Sequence, residues 1–196
     1  GRVIEPNKSC CDKCRKEFPE MPLVRYATGG YICTSPFPYD GIFRRAVLNF
    51  KFHNCGAYAE FLSHEMVRSI KDVYRNREFD LVTCVPMHKD TLKERGYNQA
   101  ELLAKECARL LGIEYTDLLA KTKKNKTQHS IKAAERAKNV IGVYSPIDKN
   151  LIKGKRILII DDIITTGSTL GECARILNKC KCGEICCCTL CTSLLI

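Results

Sequence analysis

Apolar residues fall along this chain at two periods, and the alternation between them sets out an order of elements. Helical spacing comes first, with Phe43, Val47 and Phe50 sharing a face in the stretch Tyr39 to Phe52, and Phe61, Leu62, Met66 and Ile70 sharing one in Ala57 to Ile70. The run Asp80-Leu-Val-Thr-Cys-Val-Pro86 then predicts a strand, closed by a proline that has no N–H for a ladder. Gln99 to Leu111 predicts an amphipathic helix, with Ala100, Leu103, Ala104, Cys107, Leu110 and Leu111 as its stripe and Gly112 as its stop. Ile113 to Tyr115 predicts a short strand, Ile131 to Val140 a helix, and Val140 to Tyr144 another strand, after which Pro146 to Gly154 is a polar link.

The strongest pattern is Lys155 to Leu170. Ile157 to Ile160 is β-branched and apolar without alternation, as in a strand buried on both faces of a parallel sheet, and Asp161 and Asp162 stand where it is expected to end. Thr165-Thr166-Gly167-Ser168-Thr169 makes a turn, and Leu170, Cys173, Ala174 and Leu177 continue at helical spacing. Gly183 stops that helix, and Ile185 to Leu190 predicts a last buried strand. Strands alternating with helices imply an α/β fold with a mainly parallel sheet. Residues 1–35 show no sustained period and are expected to form a small loop-rich appendage to one main domain over residues 36–196.

Composition changes this picture in three places. With 196 residues and 45% hydrophobic content the chain can bury a sizeable core, yet no run approaches the roughly 18 apolar residues of a membrane span. No signal-peptide core is present at the start of the sequence, so a cytoplasmic protein without membrane insertion is expected. The 14 cysteines are then expected as thiols or metal ligands rather than disulfides. Cys186, Cys187 and Cys188 point alternately to opposite faces of a strand and cannot all reach one ion. A net charge of +10 suits phosphorylated ligands or nucleic acid, and equally suits simple solubility. Aromatic residues, 8% of the chain, form no evident platform for stacking bases.

Candidate chemistry gathers at the turn after Asp162. A helix start leaves N–H groups unpaired at the positive end of the dipole, and the four hydroxyls of Thr165, Thr166, Ser168 and Thr169 surround that mouth. A phosphate there would take charge-assisted hydrogen bonds worth about 1.5–3 kcal/mol each. Asp161 and Asp162, poor phosphate ligands, suit sugar hydroxyls or a magnesium ion. The plainer reading is a Ser/Thr cap on an ordinary helix. Pro86-Met87-His88-Lys89 and the segment around Arg95 form a basic, glycine-containing loop at a strand's carboxyl end, either a ligand loop of the kind open α/β sheets place there or an ordinary capped loop. Lys121 to Gln128 is polar and cationic, either a lid over a polyphosphate or a solvated loop. Cys11 and Cys14 have the spacing that grips zinc, but a closed site needs four ligands and the second pair is absent. Either a first pair lies upstream of residue 1 or these are ordinary thiols.

Taken together, these segments resemble the ComF family of phosphoribosyltransferase-like proteins, associated with competence and DNA uptake in bacteria. The resemblance runs from Cys11 to the carboxyl end of the sequence. It rests on Phe50-Lys51-Phe52, Val85-Pro86-Met87-His88, Arg95-Gly96-Tyr97-Asn98-Gln99-Ala100, Thr127-Gln128, Glu135-Arg136-Ala137-Lys138-Asn139-Val140 and, most specifically, Ile157 to Thr169. That last string is similar to the phosphoribosyl pyrophosphate (PRPP) motif of type I phosphoribosyltransferases. The resemblance implies a twisted, mainly parallel sheet with a small hood and an N-terminal zinc finger, of which Cys11 and Cys14 would be the second pair. It implies ribose at Asp161 and Asp162, and 5′-phosphate at Thr165, Thr166, Gly167, Ser168 and Thr169. On this reading Met87, His88, Lys89 and Arg95 lie on the pyrophosphate side, magnesium accompanies PRPP, and the activity is phosphoribosyl transfer to a nitrogen acceptor. The competing expectation is a non-catalytic protein that binds PRPP or a nucleotide, with single-stranded DNA or competence proteins as partners.

Overall fold

The computed structural model describes residues 10–52, 58–123 and 140–193. Its strands are β1 (Leu23–Ala27), β2 (Tyr31–Ser35), β3 (Phe37–Pro38), β4 (Leu81–Cys84), β5 (Glu114–Tyr115), β6 (Leu119–Lys121), β7 (Tyr144–Pro146), β8 (Arg156–Ile164) and β9 (Glu184–Thr192). The described helices are α1 (Asp12–Arg15), α2 (Gly41–Phe52), α3 (Tyr58–Val73), α4 (Lys89–Arg95), α5 (Gln99–Leu111), α6 (Lys149–Ile152) and α7 (Ser168–Lys179). Seven strands form one sheet in the order β1-β2-β9-β8-β4-β5, with β3 also on β9, while β6 and β7 pair separately as an antiparallel ribbon. Within the large sheet only the β1–β2 hairpin is antiparallel.

The apolar run of β8 explains its central place. Ile157, Leu158, Ile159 and Ile160 have no exposed surface, and their side chains divide between two cores. Leu158 and Ile160 join residues of α2, α3 and α5, including Phe50, Met66 and Leu103, whereas Ile157 and Ile159 join Leu170, Cys173 and Leu177 of α7. Each fully buried Ile or Leu contributes about 1.5–3 kcal/mol, so this strand needs cover on both sides. The same alternation separates the cysteines of β9: Cys186 and Cys188 lie in the first core and Cys187 in the second. Burial pushes the thiols of Cys33, Cys84 and Cys107 up to about 12, so they stay protonated as small apolar residues.

Capping follows the sequence closely around α5, where the Asn98 side chain accepts from Ala100 N and Gly112 closes the helix at φ 69°. Several elements differ from expectation. Residues 23–35 are not loop but the β1–β2 hairpin, recruited into the sheet by β9 through Cys33↔Cys187 and Thr34↔Cys188. Segment 89–95, expected as part of a loop, is the short helix α4, opened by His88 Nδ1 accepting from Asp90 N and closed by Gly96 at φ 81°. Strand β8 does not end at Asp161 but continues to Ile164, because β9 pairs with it as far as Ile164↔Thr192. The strand expected at Val140 to Tyr144 is shifted to Tyr144–Pro146, paired with β6. Most of the helix expected at Ile131 to Val140 lies outside the described residues, as do residues 124–128 of the cationic segment.

Candidate functional site

The site begins where two neighbouring strands part company. β4 accompanies β8 only to Cys84↔Ile160, with one further bond from Val85 N to Ile160 O at 3.0 Å, and then turns away at Pro86. β9 stays paired with β8 through Asp161↔Thr189 and beyond. Asp161 and Asp162 therefore stand on a strand held on one side and opened on the other, the crevice in which open α/β sheets take ligands. Asn98 fixes the rim by donating from Nδ2 to Val85 O at 3.1 Å. Met87, His88 and Lys89 follow directly on this edge, and His88 is committed to capping α4.

The carboxylates are unlike each other. Asp161 Oδ1 accepts the backbone N–H of Asp162 at 2.8 Å, and Asp162 Oδ2 lies 2.5 Å from Lys51 Nζ at the end of α2. Burial, reinforced by the neighbouring Asp162 charge, holds the Asp161 carboxyl well above the usual carboxylate range. Asp161 thus has a backbone N–H as its partner, whereas Asp162 has the Lys51 ammonium. On the other flank is Lys121 of β6, its ammonium 5.7 Å from the centre of the Tyr144 ring. Burial pushes Lys121 below the usual lysine range, and the Asp161 charge is the main influence opposing that shift.

The hydroxyl turn adjoins them. Gly167 is the residue before α7, with φ 75°, and the helix start receives no side-chain cap from it. A Cβ on Gly167 would lie 2.8 Å from Ala27 Cα, so both the left-handed backbone and the close neighbour require glycine there. Thr166 Oγ1 and Ser168 Oγ are 2.9 Å apart, and Thr166 Oγ1 accepts Ser168 N at 3.4 Å. Thr28, at the tip of the β1–β2 hairpin, donates its N–H to Gly167 O at 3.2 Å. One turn into the helix, a Cβ on Gly171 would fall 2.3 Å from Thr28 O. Lower on α7, the buried Glu172 pairs with Arg175 at 2.6 Å and accepts Gly142 N at 3.0 Å, tying the chain that enters β7 to the same helix.

Asp161, Asp162 and Thr165 to Thr169, expected from the sequence to carry the chemistry, lie consecutively on β8, its following turn and the first residues of α7. Pattern reading missed Lys51 and Thr28. Lys51 stands within Phe50-Lys51-Phe52, a string that carries the family resemblance but lies on a helix read as core, and Thr28 lies in a region without period; the pattern assigns neither a role. Cys11 and Cys14 sit at α1 with their sulfurs 3.5 Å apart. Among the described residues no cluster of three or more Cys, His, Asp or Glu is placed to hold a metal ion. The described residues thus supply two thiols toward the four ligands of a closed zinc site and do not complete it. Magnesium is different, since it takes one or two carboxylates and completes its shell with water and ligand oxygens, which the pair at Asp161 and Asp162 fits. No described helix is long and apolar enough to cross a membrane.

Residues 98–194 match the phosphoribosyl transferase domain family. The chain is similar to competence protein F of Haemophilus influenzae, with 31% identity over 190 residues that cover 94% of this chain and 79% of that protein. It is 31% identical to competence protein ComFC of Bacillus subtilis over 77% of this chain and 60% of that protein. Against the DNA utilization protein YhgH of Escherichia coli, identity is 30% over 51% of this chain and 44% of that protein, so the match spans less than half of the relative's length. Among solved structures, the glutamine PRPP amidotransferase from B. subtilis, complexed with ADP and GMP, superposes with a TM-score of 0.48 at 18% identity, covering 72% of this chain and 30% of that one.

Proposed function

This chain belongs to the ComF family of phosphoribosyltransferase-like proteins, and on that premise we propose that it binds PRPP at the β8–α7 turn and transfers the phosphoribosyl group to a nitrogen acceptor, releasing pyrophosphate. One observation carries the reading: a carboxylate pair and a hydroxyl-lined, glycine-led helix start follow each other on the open carboxyl edge of the central strand. The 5′-phosphate would sit at Thr165 to Thr169, where backbone dipole and hydroxyl donors favour an anion. The ribose would face Asp161 and Asp162. The carboxyl groups of Asp161 and Asp162 would hydrogen-bond the sugar hydroxyls, and carboxylate charge there would favour the positive charge that develops on the ribose as the anomeric bond weakens. Magnesium on the diphosphate would neutralise leaving-group charge. Lys89 and Arg95, carried by α4 beside the same edge, and Lys121 on the opposite flank supply cations toward the pyrophosphate. Proximity and charge placement are the protein's whole task in such a reaction.

Titrating PRPP with magnesium into the protein tests this directly, followed by pyrophosphate release across a panel of bases and amines. Micromolar to millimolar PRPP binding is expected, and no binding would sink the reading.

A second reading draws on the printed names of the relatives, competence and DNA utilization, and on the net charge of +10. Here the phosphoribosyl pocket binds without turnover and a basic surface engages single-stranded DNA. PRPP binding without pyrophosphate release, together with salt-sensitive DNA affinity that survives Asp161→Asn, Asp162→Asn, would favour it.

A further inference from the structure

Lys51 is a cation already seated at the carboxylate that a magnesium-bound ligand would use. Its ammonium lies 2.5 Å from Asp162 Oδ2, and the two side chains keep only 19% and 15% of their surface exposed. The backbone beneath it is pinned to the main domain: the Tyr97 hydroxyl donates to Phe50 O, and Gln99 Nε2 donates to Lys51 O at 3.4 Å. Phe43, Val47 and Phe50 bury the rest of α2 in the core. The helix end is thus fixed and only the four-carbon stem of Lys51 is free to swing.

Two cations cannot pair closely with one carboxylate oxygen without strong mutual repulsion. Resting on the PRPP reading above, we propose that Lys51 is a positioning residue that acts as the resident counter-cation of Asp162, excluding free magnesium from the empty site and swinging off when magnesium arrives on the diphosphate of PRPP. The diphosphate carries the charge needed to bring the metal past the ammonium, and the displaced ammonium gains a new anionic neighbour in the ligand. Metal and PRPP would then enter together, and the acidic pair would not be filled by metal alone.

The test uses the metal without PRPP, with manganese as a paramagnetic substitute for magnesium followed by electron spin resonance. Lys51→Met is expected to bind manganese about fivefold or more tightly than the unaltered chain, a partly buried ion pair of about 1 kcal/mol being removed. Lys51→Arg keeps a cation and should match the unaltered chain, and adding Asp162→Asn to Lys51→Met should abolish the gain. Unchanged or weaker manganese binding by Lys51→Met, or a gain that survives Asp162→Asn, overturns the proposal. Should circular dichroism show that Lys51→Met is unfolded, Lys51→Gln takes its place with the same expected outcomes. Because PRPP is absent, a failure here is distinct from a failure of PRPP binding by the unaltered chain.

Discussion

At the amino end of β8, Arg156 meets Asp80 through Nε at 3.1 Å and Nη2 at 2.8 Å, its backbone N–H bonds the same carboxylate at 2.8 Å, and Nη1 reaches Glu78 at 2.8 Å. At the carboxyl end of the same strand, two aspartates stand side by side and Lys51 serves one of them. Hydrogen bonds from Arg156 hold the Asp80 carboxyl well below the usual range, whereas burial beside Asp162 holds the Asp161 carboxyl well above it. One end satisfies its charges within the fold and fixes the register of β4 on β8. The other sets two carboxylates side by side on an open strand edge with a single lysine as partner, an arrangement that gives up stability and is typical of functional sites.

The largest test of this contrast is Asp161→Asn, Asp162→Asn. Loss of two charge-assisted contacts should weaken PRPP binding by about two orders of magnitude or more, read by calorimetry, while thermal stability is kept or raised. A double variant that melts earlier would break the contrast. Next comes packing, since the carboxyl end is held by close backbone approach rather than by ion pairs. Gly171→Ala should cost about 1–3 kcal/mol in urea unfolding, because the new methyl meets the backbone of Thr28.

A pH series sharpens the comparison through its sign. Asp161 titrates higher folded than unfolded, so its cost is felt above the ordinary carboxylate range and is relieved as pH falls through the folded value. Asp80 titrates lower folded than unfolded, so its contribution is present above about pH 4 and lost as pH falls through its folded value. Stability should rise on mild acidification and then fall, with Asp161→Asn removing the rise and Asp80→Asn blunting the fall. The smallest expected effect is Asp80→Asn at neutral pH: a modest drop in melting temperature, since the pair is solvent-exposed, and unchanged PRPP binding.

How much of this was legible depended on whether the determinant was local. Ile157 to Ile160 announces a doubly buried strand, Asn98 and Gly112 announce the ends of α5, and Thr165 to Thr169 announces a helix start, because each pattern is written in consecutive residues. The ion pair of Lys51 with Asp162 joins positions 111 residues apart (162 minus 51), and nothing near either predicts the other. The β1–β2 hairpin was hidden for the same reason. Its burial pattern is weak until β9 and the Gly167 turn cover it, so Val24 and Tyr26 remain exposed and the segment resembles a loop. Strand β8 overran its expected end because pairing with β9 overrode the poor strand preference of two aspartates.

The position of β9, between β2 and β8, also bears on how the protein is made. Residues 33 and 187 are bonded neighbours in the finished sheet. During synthesis the hairpin emerges long before its partner and has to wait, with the inner edge of β2 unpaired, until Cys187 and Cys188 leave the ribosome. Such late, long-range closure predicts slow folding. A chain halted before residue 184 would present two unpaired strand edges, one on β2 and one on β8, to any other nascent chain, making the incomplete product far more prone to aggregate than the complete one.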